Sequence, residues 1–115
     1  MNNVYRKLCI LGGEPLSKHN ILSTLCIIEE CKKVYPELEV YIWTGYTYEQ
    51  LLEMYHSDVG NSILMEILDN ITCLVDGPFE LEHRDITLKM RGSTNQRIID
   101  VQATLEKGEV VLLYE

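Results

Sequence analysis

Three glycines, Gly13, Gly45 and Gly77, lie 32 residues apart, and each follows a short apolar run. Amphipathic helical patterns lie between them, so the chain alternates strand, loop and helix along most of its length. Such alternation is typical of a parallel sheet built from right-handed crossovers. Loops that leave the carboxyl ends of parallel strands gather at one edge, where ligands bind. We therefore expect the three glycine loops to line one site.

The alternating pattern predicts an α/β chain that forms a single domain over residues 1–115. Strands are predicted at residues 8–11, 40–43, 72–75, 98–99 and 110–113. Helices are predicted at residues 17–35, 47–55 and 63–68, with a break at 57–60. Residues 81–90 suggest an irregular or hairpin-like stretch, and residues 107–108 suggest the turn before the last strand.

Two of the predicted helices carry specific local signals. The first is expected to bury one apolar face, formed by Ile21, Leu22, Leu25 and Ile28. The second begins with a T-x-x-Q pattern, Thr47 to Gln50, which predicts a capping box. On the strand before that helix, Tyr41 and Trp43 are predicted to belong to the core.

Composition narrows the class of partner. The net charge of −8 argues against a broad surface for nucleic-acid phosphates, so no nucleic-acid partner is predicted. No apolar stretch is long enough to span a membrane, and no basic-then-apolar leader precedes the first strand. We therefore expect a cytoplasmic protein without a membrane partner.

The run Gly12-Gly13-Glu14-Pro15 follows the first predicted strand and is the strongest local candidate for a binding loop. Glycines permit positive φ and close approach of the backbone to a ligand. Pro15 fixes the exit of the loop, and Glu14 is suited to receive a cation or an ammonium group. The same run is also compatible with a tight turn that carries a solvated Glu. It lacks the Gly-Lys-Ser/Thr of a Walker loop and the third glycine of a dinucleotide fingerprint.

Four runs in fixed order raise the specificity of this pattern. They are L-G-G-E-P-L at 11–16, I-W-T-G-Y-T-Y-E at 42–49, V-D-G-P-F at 75–79 and R-G-S-T-N-Q-R-I-I-D at 91–100. With these motifs the chain closely resembles the activating proteins of anaerobic ribonucleoside-triphosphate reductases, which are radical S-adenosylmethionine (SAM) enzymes. The resemblance extends from Leu8 to about Leu113, and G-G-E-P is its least specific part.

The resemblance implies a partial (βα) barrel of radical SAM type with a mainly parallel sheet. It implies that Gly12, Gly13, Glu14 and Pro15 hold the methionyl ammonium of SAM. Thr44 and Asp76 are expected on loops at the same edge and are weaker candidates for ligand contact, to which no motif match assigns a role. In the family a reduced 4Fe-4S cluster passes an electron to SAM, and the resulting 5′-deoxyadenosyl radical takes hydrogen from a backbone glycine of the large reductase subunit. That subunit is therefore the implied partner.

The sequence departs from the family at the cluster. The family holds its cluster with C-x3-C-x2-C upstream of G-G-E-P, and this sequence has no such motif. Cys9 and Cys73 lie in apolar strands and are predicted to be buried free thiols. Cys26 and Cys31 are five residues apart on a helix and do not share a face. The chain thus offers no predicted metal ligands and no predicted catalytic residue.

Two consequences follow from this departure. The chain is expected to be N-terminally truncated, the C-terminal portion of a radical SAM activase fold without the family's first strand and helix. The strand at 8–11 is then expected at a sheet edge. We also predict that the chain alone does not cleave SAM, and that a missing N-terminal segment is a possible further partner.

Several alternatives stay open at this stage. The chain is either a piece of an activase or a non-catalytic remnant or regulator that binds the reductase without radical chemistry. A generic α/β small-molecule binder explains the glycine loops but not the run at 91–97. Arg91 and Arg97 are explained either by a structural turn or by contact with the reductase or an anionic group.

Overall fold

The computed structural model describes residues 7–80, 82, 93 and 95–114, which form five strands and four helices. The elements in chain order are β1 (Lys7–Ile10), α1 (Ile21–Val34), β2 (Glu39–Trp43), α2 (Tyr48–Met54), α3 (Asp58–Asp69), β3 (Cys73–Asp76), β4 (Arg97–Asp100), α4 (Val101–Lys107) and β5 (Leu112–Tyr114). The predicted α/β class is confirmed. The hairpin-like stretch predicted at 81–90 lies outside the described residues except for Glu82.

The five strands form one mixed sheet in the order β1-β2-β3-β4-β5. The pairs β1–β2 and β2–β3 are parallel, whereas β3–β4 and β4–β5 are antiparallel. The prediction of a mainly parallel sheet is therefore wrong. Asp76 at the end of β3 pairs with Arg97 at the start of β4, so the chain re-enters the sheet at the edge where β3 leaves it. A parallel continuation requires a crossover to the opposite edge.

β1 is the end strand among the described residues, as expected for the strand at 8–11. The partial barrel itself stays a prediction, because the described strands establish only an α/β fold with a mixed sheet. In the part of the chain that the structure describes, no helix has the length and apolar character needed to cross a bilayer.

The main core lies between the sheet and the helices. Val40, Ile42 and Leu74 supply its sheet side and are fully buried, and they belong to one cluster with apolar residues of all four helices. A smaller buried cluster of Tyr41, Cys73, Val75 and Ile98, with Trp43 packed against it, is made by the alternate residues of β2, β3 and β4. Because successive strand residues point to opposite faces, this second cluster lies on the other side of the sheet. The core assignment of Tyr41 and Trp43 is thereby supported.

The buried face of α1 is narrower than the sequence suggests. Ile21 and Ile28 are buried, but Leu22 is 58% exposed, so its predicted burial is wrong. Leu22 lies about 100° around the helix axis from Ile21, which turns it away from the sheet. The helix also begins at Ile21 rather than at the predicted residue 17, because the backbone N–H groups of Ser17 and Asn20 close the preceding turns instead.

The boundaries of α2 and α3 follow from capping. The backbone N–H of Gln50 donates to Thr47 Oγ1 at 3.1 Å and the N–H of Thr47 donates to Gln50 Oε1 at 2.8 Å, which confirms the capping box. Ser57 caps α3, so helix resumes at Asp58 inside the predicted break.

Helix α4 was not predicted. Asp100 caps it by accepting from the N–H of Ala103, and it ends at Gly108, whose φ of 81° is left-handed. Seven residues are too few for apolar periodicity to identify a helix.

We predict that Ile28→Ala lowers the free energy of unfolding by about 2–5 kcal/mol, because it empties a fully buried site. Leu22→Ala is the matched control on the same helix and is expected to cost less than about 1 kcal/mol, since its side chain is mostly exposed. Urea unfolding of the two variants measures the difference. Equal losses would contradict the orientation of α1.

Candidate functional site

Parallel pairing of the first three strands brings three loops to one edge of the sheet. Ile10 lies beside Ile42, and Trp43 lies beside Val75, so the strands end at neighbouring points. Hydrogen bonds join the loops directly. The N–H of Thr44 donates to the carbonyl of Val75, and the N–H of Gly77 donates to the carbonyl of Tyr46, both at 2.9 Å. The glycine loops therefore lie side by side, as their spacing predicts.

The carboxylate of Glu14 is the centre of this edge. Its Oε2 accepts from Thr44 Oγ1 at 2.7 Å and from the N–H of Leu16 at 3.1 Å. Its Oε1 accepts from the N–H of Gly45 at 2.7 Å. Three donors from two loops thus hold the carboxylate in one orientation. Glu14 takes part in none of the ion pairs found among the described residues, so its negative charge has no cationic partner there.

Backbone geometry explains the residue types in the G-G-E-P loop. Gly12 and Gly13 have φ values of +75° and +42°, in the left-handed region where other residues are strained. A Cβ at either position meets no atom within 4 Å, so the requirement is conformational and not one of space. Pro15 is buried, and its carbonyl accepts from Thr24 Oγ1 at 2.7 Å, which anchors the loop to α1.

At Gly45 the constraint is one of space rather than of backbone conformation. A Cβ built there lies 3.3 Å from Glu14 Oε1, closer than most real contacts. A side chain at Gly45 therefore presses on the carboxylate that its own N–H holds. Thr44 is 4% exposed and also accepts from the N–H of Tyr46 at 3.2 Å. The predicted candidate Thr44 is thus brought to the site, where its hydroxyl contacts Glu14.

Asp76 is the second carboxylate at this edge, and unlike that of Glu14 its side chain is buried, with 1% exposed. It accepts from the N–H of Tyr48 at 2.8 Å and from Arg97 Nε at 3.0 Å. Arg97 also donates to Glu49 Oε1 at 2.6 Å, so one guanidinium joins β3, β4 and α2. Hydrogen bonds to Asp76 raise the pKa of Arg97, and the hydrogen bond from Arg97 lowers the pKa of Glu49.

These contacts give Arg97 a structural role. Its guanidinium is occupied by two carboxylates, which leaves the described geometry without support for an anionic ligand at this residue. Removing Arg97 leaves Asp76 buried without its counter-charge, a change that costs about 3–5 kcal/mol when such pairs are broken. Arg91 lies outside the described residues. Sequence reasoning missed Glu49 as the second partner, because only the fold brings α2 beside β4.

The four cysteines do not fit a 4Fe-4S cluster. Cys9 and Cys26 are exposed, Cys31 is half-buried and Cys73 is buried. The predicted burial of Cys9 is wrong, because its side chain is exposed on β1, the end strand among the described residues. Cys26 and Cys31 lie about 140° apart around α1, and β2 separates the strands of Cys9 and Cys73. The described residues contain no group of three His, Cys, Asp or Glu side chains able to hold a metal.

Comparison with known proteins adds two findings. A family described as "4Fe-4S single cluster domain" matches residues 1–99. The chain is also similar to proteins named anaerobic ribonucleoside-triphosphate reductase-activating protein. The relative from Pasteurella multocida is 34% identical over 91 residues, which is 79% of this chain and 53% of that protein. The relative from Escherichia coli K12 is 32% identical over 89 residues, which is 77% and 52%.

A more distant relative of the same name comes from Enterobacteria phage T4. It is 28% identical over 93 residues, which is 79% of this chain and 51% of that protein. The chain thus spans about half the length of the curated relatives it matches. No solved structure matches it.

We predict that thiol-specific alkylation of the folded chain at pH 8 modifies Cys9 and Cys26 quickly and leaves Cys73 unmodified. Burial raises the pKa of Cys73 to about 12, so its reactive thiolate is scarce as well as shielded. Mass spectrometry of the alkylated peptides reports each site.

The same pKa predicts a loss of stability in alkali. The unfolded chain loses the Cys73 proton near the ordinary pKa of 9, whereas the folded chain keeps it until about pH 12. The contribution of this proton to the free energy of unfolding is therefore full below pH 9 and falls between pH 9 and about 12. Cys73→Ala removes this component. In the alkylation experiment, modification of Cys73 at the rate of Cys9 in the folded chain would contradict the burial of Cys73 and its raised pKa.

Proposed function

The chain belongs to the 4Fe-4S single cluster domain family, and we propose from its similarity to reductase-activating proteins that it forms part of an activating protein for an anaerobic ribonucleoside-triphosphate reductase. The partner in this proposal is the large subunit of the reductase. The proposed chemistry is that of a radical SAM enzyme, and the proposed architecture is the partial (βα) barrel of those enzymes. No nucleic-acid partner is proposed, in keeping with the net charge of −8.

The loop of Gly12, Gly13, Glu14 and Pro15 is proposed to hold the methionyl ammonium of SAM. The observation that carries this proposal is the Glu14 carboxylate, which Thr44 and Gly45 hold in place and no described cation neutralises. A carboxylate offers about four acceptor positions, and the described residues occupy three of them, which leaves one for an ammonium donor. A charge-assisted hydrogen bond of this kind contributes about 1.5–3 kcal/mol.

Each residue of the loop has a distinct part in the proposal. Gly12 and Gly13 are exposed and have no side chains of their own to cover their backbone groups. Pro15 anchors the loop against α1, which keeps Glu14 from rotating away. When bound, SAM supplies the sulfonium bond whose reductive cleavage gives the 5′-deoxyadenosyl radical of the family.

The thiols of this chain do not fit a 4Fe-4S cluster. A 4Fe-4S cluster is held by cysteine thiolates that converge on it, and the four cysteines here lie at four separate places. We therefore assign no cluster ligand to this chain and propose that it does not cleave SAM alone. The same scatter of thiols favours a second candidate function, a regulator that binds the reductase and performs no radical chemistry.

We predict that Glu14→Gln weakens SAM binding about 10- to 150-fold, the change that a loss of 1.5–3 kcal/mol produces. Binding of 5′-methylthioadenosine, which lacks the ammonium group, is expected to stay within about twofold of the wild-type value. Calorimetric titration with both ligands provides the measurement. Glu66→Gln, the same change at an exposed carboxylate of α3, is the control and is expected to alter neither affinity. Equal weakening of both ligands by Glu14→Gln would refute the ammonium contact.

We further predict that the chain, treated anaerobically with iron, sulfide and a reductant, produces no 5′-deoxyadenosine from SAM. Chromatography of the reaction mixture detects that product directly. Addition of a polypeptide that carries C-x3-C-x2-C separates the two candidate functions. Restored production of 5′-deoxyadenosine supports the first candidate, in which the chain is part of an activating protein. Binding to the reductase without that product supports the second candidate, the regulator. Production by the chain alone would refute the proposed inactivity.

A further inference from the structure

The two oxygens of the Glu14 carboxylate have different surroundings. Oε2 accepts from Thr44 Oγ1 at 2.7 Å and from the N–H of Leu16 at 3.1 Å, and both of these residues are buried. Among the described residues, Oε1 accepts only from the N–H of Gly45, at 2.7 Å, and Gly45 is exposed. Because each carboxylate oxygen has about two acceptor positions, Oε2 is filled and the open position lies on Oε1.

The direction of the Thr44 hydroxyl is fixed by its second contact. Its oxygen accepts from the N–H of Tyr46 at 3.2 Å. A hydroxyl has a single proton to donate, and here that proton points to Glu14 Oε2. The Thr44 hydroxyl therefore determines which of the two carboxylate oxygens is filled from the interior of the protein.

The second glycine loop, which carries this hydroxyl, is held in turn by the third. The carbonyl of Tyr46 accepts from the N–H of Gly77 at 2.9 Å. Gln96 Nε2 donates to the carbonyl of Gly77 at 2.9 Å, and Asn95 Nδ2 donates to the carbonyl of Pro78 at 2.7 Å. A series of hydrogen bonds thus connects the segment before β4 to the second loop, and it gives Asn95 and Gln96 a structural role.

The backbone of the first loop is held by a separate set of contacts. Asn20 Nδ2 donates to the carbonyl of Glu14 at 3.0 Å, and the Tyr55 hydroxyl donates to the carbonyl of Leu16 at 2.5 Å. The carbonyl of Pro15, between them, accepts from a side chain of α1. None of these contacts involves the second glycine loop. A change at a side chain of the second loop is therefore expected to alter the orientation of the carboxylate and to leave this backbone in place.

We propose that Thr44 is a positioning residue for Glu14. Its hydroxyl occupies Oε2 and leaves Oε1, beside Gly45, as the oxygen that takes the ammonium group of the ligand. The proposal rests on the proposed function, which supplies that ligand. Thr44 acts through Glu14 and makes no contact of its own with the ligand. Gly45 has a matching part, because a Cβ there lies 3.3 Å from Oε1 and the absence of a side chain keeps that oxygen accessible.

The test is a calorimetric titration with SAM and with 5′-methylthioadenosine, which lacks the ammonium group. Thr44→Val keeps the size of the side chain and removes the hydroxyl. It is expected to weaken SAM binding about 3- to 12-fold and to change the affinity for 5′-methylthioadenosine less than about twofold. Thr44→Ser retains the hydroxyl and is expected to bind SAM within about twofold of the wild-type affinity.

Thr104→Val is the matched control. The Thr104 hydroxyl is also buried and accepts from the N–H of Val111 at 2.9 Å, but it lies on α4 and has no contact with the Glu14 loop. Its loss is expected to lower the thermal unfolding midpoint and to alter neither affinity. Thermal unfolding of Thr44→Val, measured beside it, separates a loss of fold from a loss of carboxylate orientation.

Gly45→Ala tests which oxygen takes the ammonium group. Gly45 is not among the glycines with positive φ, so its backbone accepts alanine, and the added methyl group crowds Oε1. We expect SAM binding to weaken about 3- to 10-fold, with the affinity for 5′-methylthioadenosine again within about twofold. Unchanged SAM binding by Gly45→Ala would overturn the assignment to Oε1.

The remaining outcomes distinguish the positioning role from the proposed function. Unchanged SAM binding by Thr44→Val would overturn the positioning role and leave the proposed function standing. Equal weakening of both ligands by Thr44→Val, or no recovery in Thr44→Ser, would show a purely structural role and overturn it as well. Absence of SAM binding by the wild-type chain would overturn the proposed SAM site, and the role of Thr44 would fall with it. Weakening confined to SAM, with recovery in Thr44→Ser, would support both.

Discussion

The parallel pairing of β1, β2 and β3 is the constraint on which the rest of the structure depends. It places the carboxyl ends of three strands side by side, and each strand then delivers a glycine loop to the same edge. Glu14 from the first loop reaches Thr44 and Gly45 of the second, and the third loop binds the backbone of the second at Tyr46. Thr44 and Gly45 lie 30 and 31 residues from Glu14 in sequence, so their contacts with its carboxylate exist only when the strands pair.

A buried ion pair accommodates the reversal of the sheet. β4 runs back along β3, and Arg97 at its start faces Asp76 at the end of β3. The buried Asp76 carboxylate is acceptable there because Arg97 and the N–H of Tyr48 satisfy it. The same reversal brings the segment from Ser93 to Gln96 against the third loop. The antiparallel half of the sheet thus organises the edge that the parallel half creates.

The placement of the charges and the placement of the thiols have different consequences for what the chain can bind. The edge around Glu14 is suited to a positively charged ligand, while the four thiols lie at places that cannot converge on one metal centre. The chain spans about half the length of the relatives it matches, which are named reductase-activating proteins.

The sequence alone determined the features that depend on near neighbours. These are the alternation of strand and helix, the Thr47–Gln50 capping box and the order of the glycine loops. It did not determine the direction of β4, the exposure of Leu22 and Cys9, or the partners of Arg97. The helix α4 was not predicted either, because it is too short for apolar periodicity to identify. Those features depend on which surfaces meet across the sheet, and local propensity carries no information about contacts between distant segments. Only tertiary packing therefore decided that Thr44 holds Glu14.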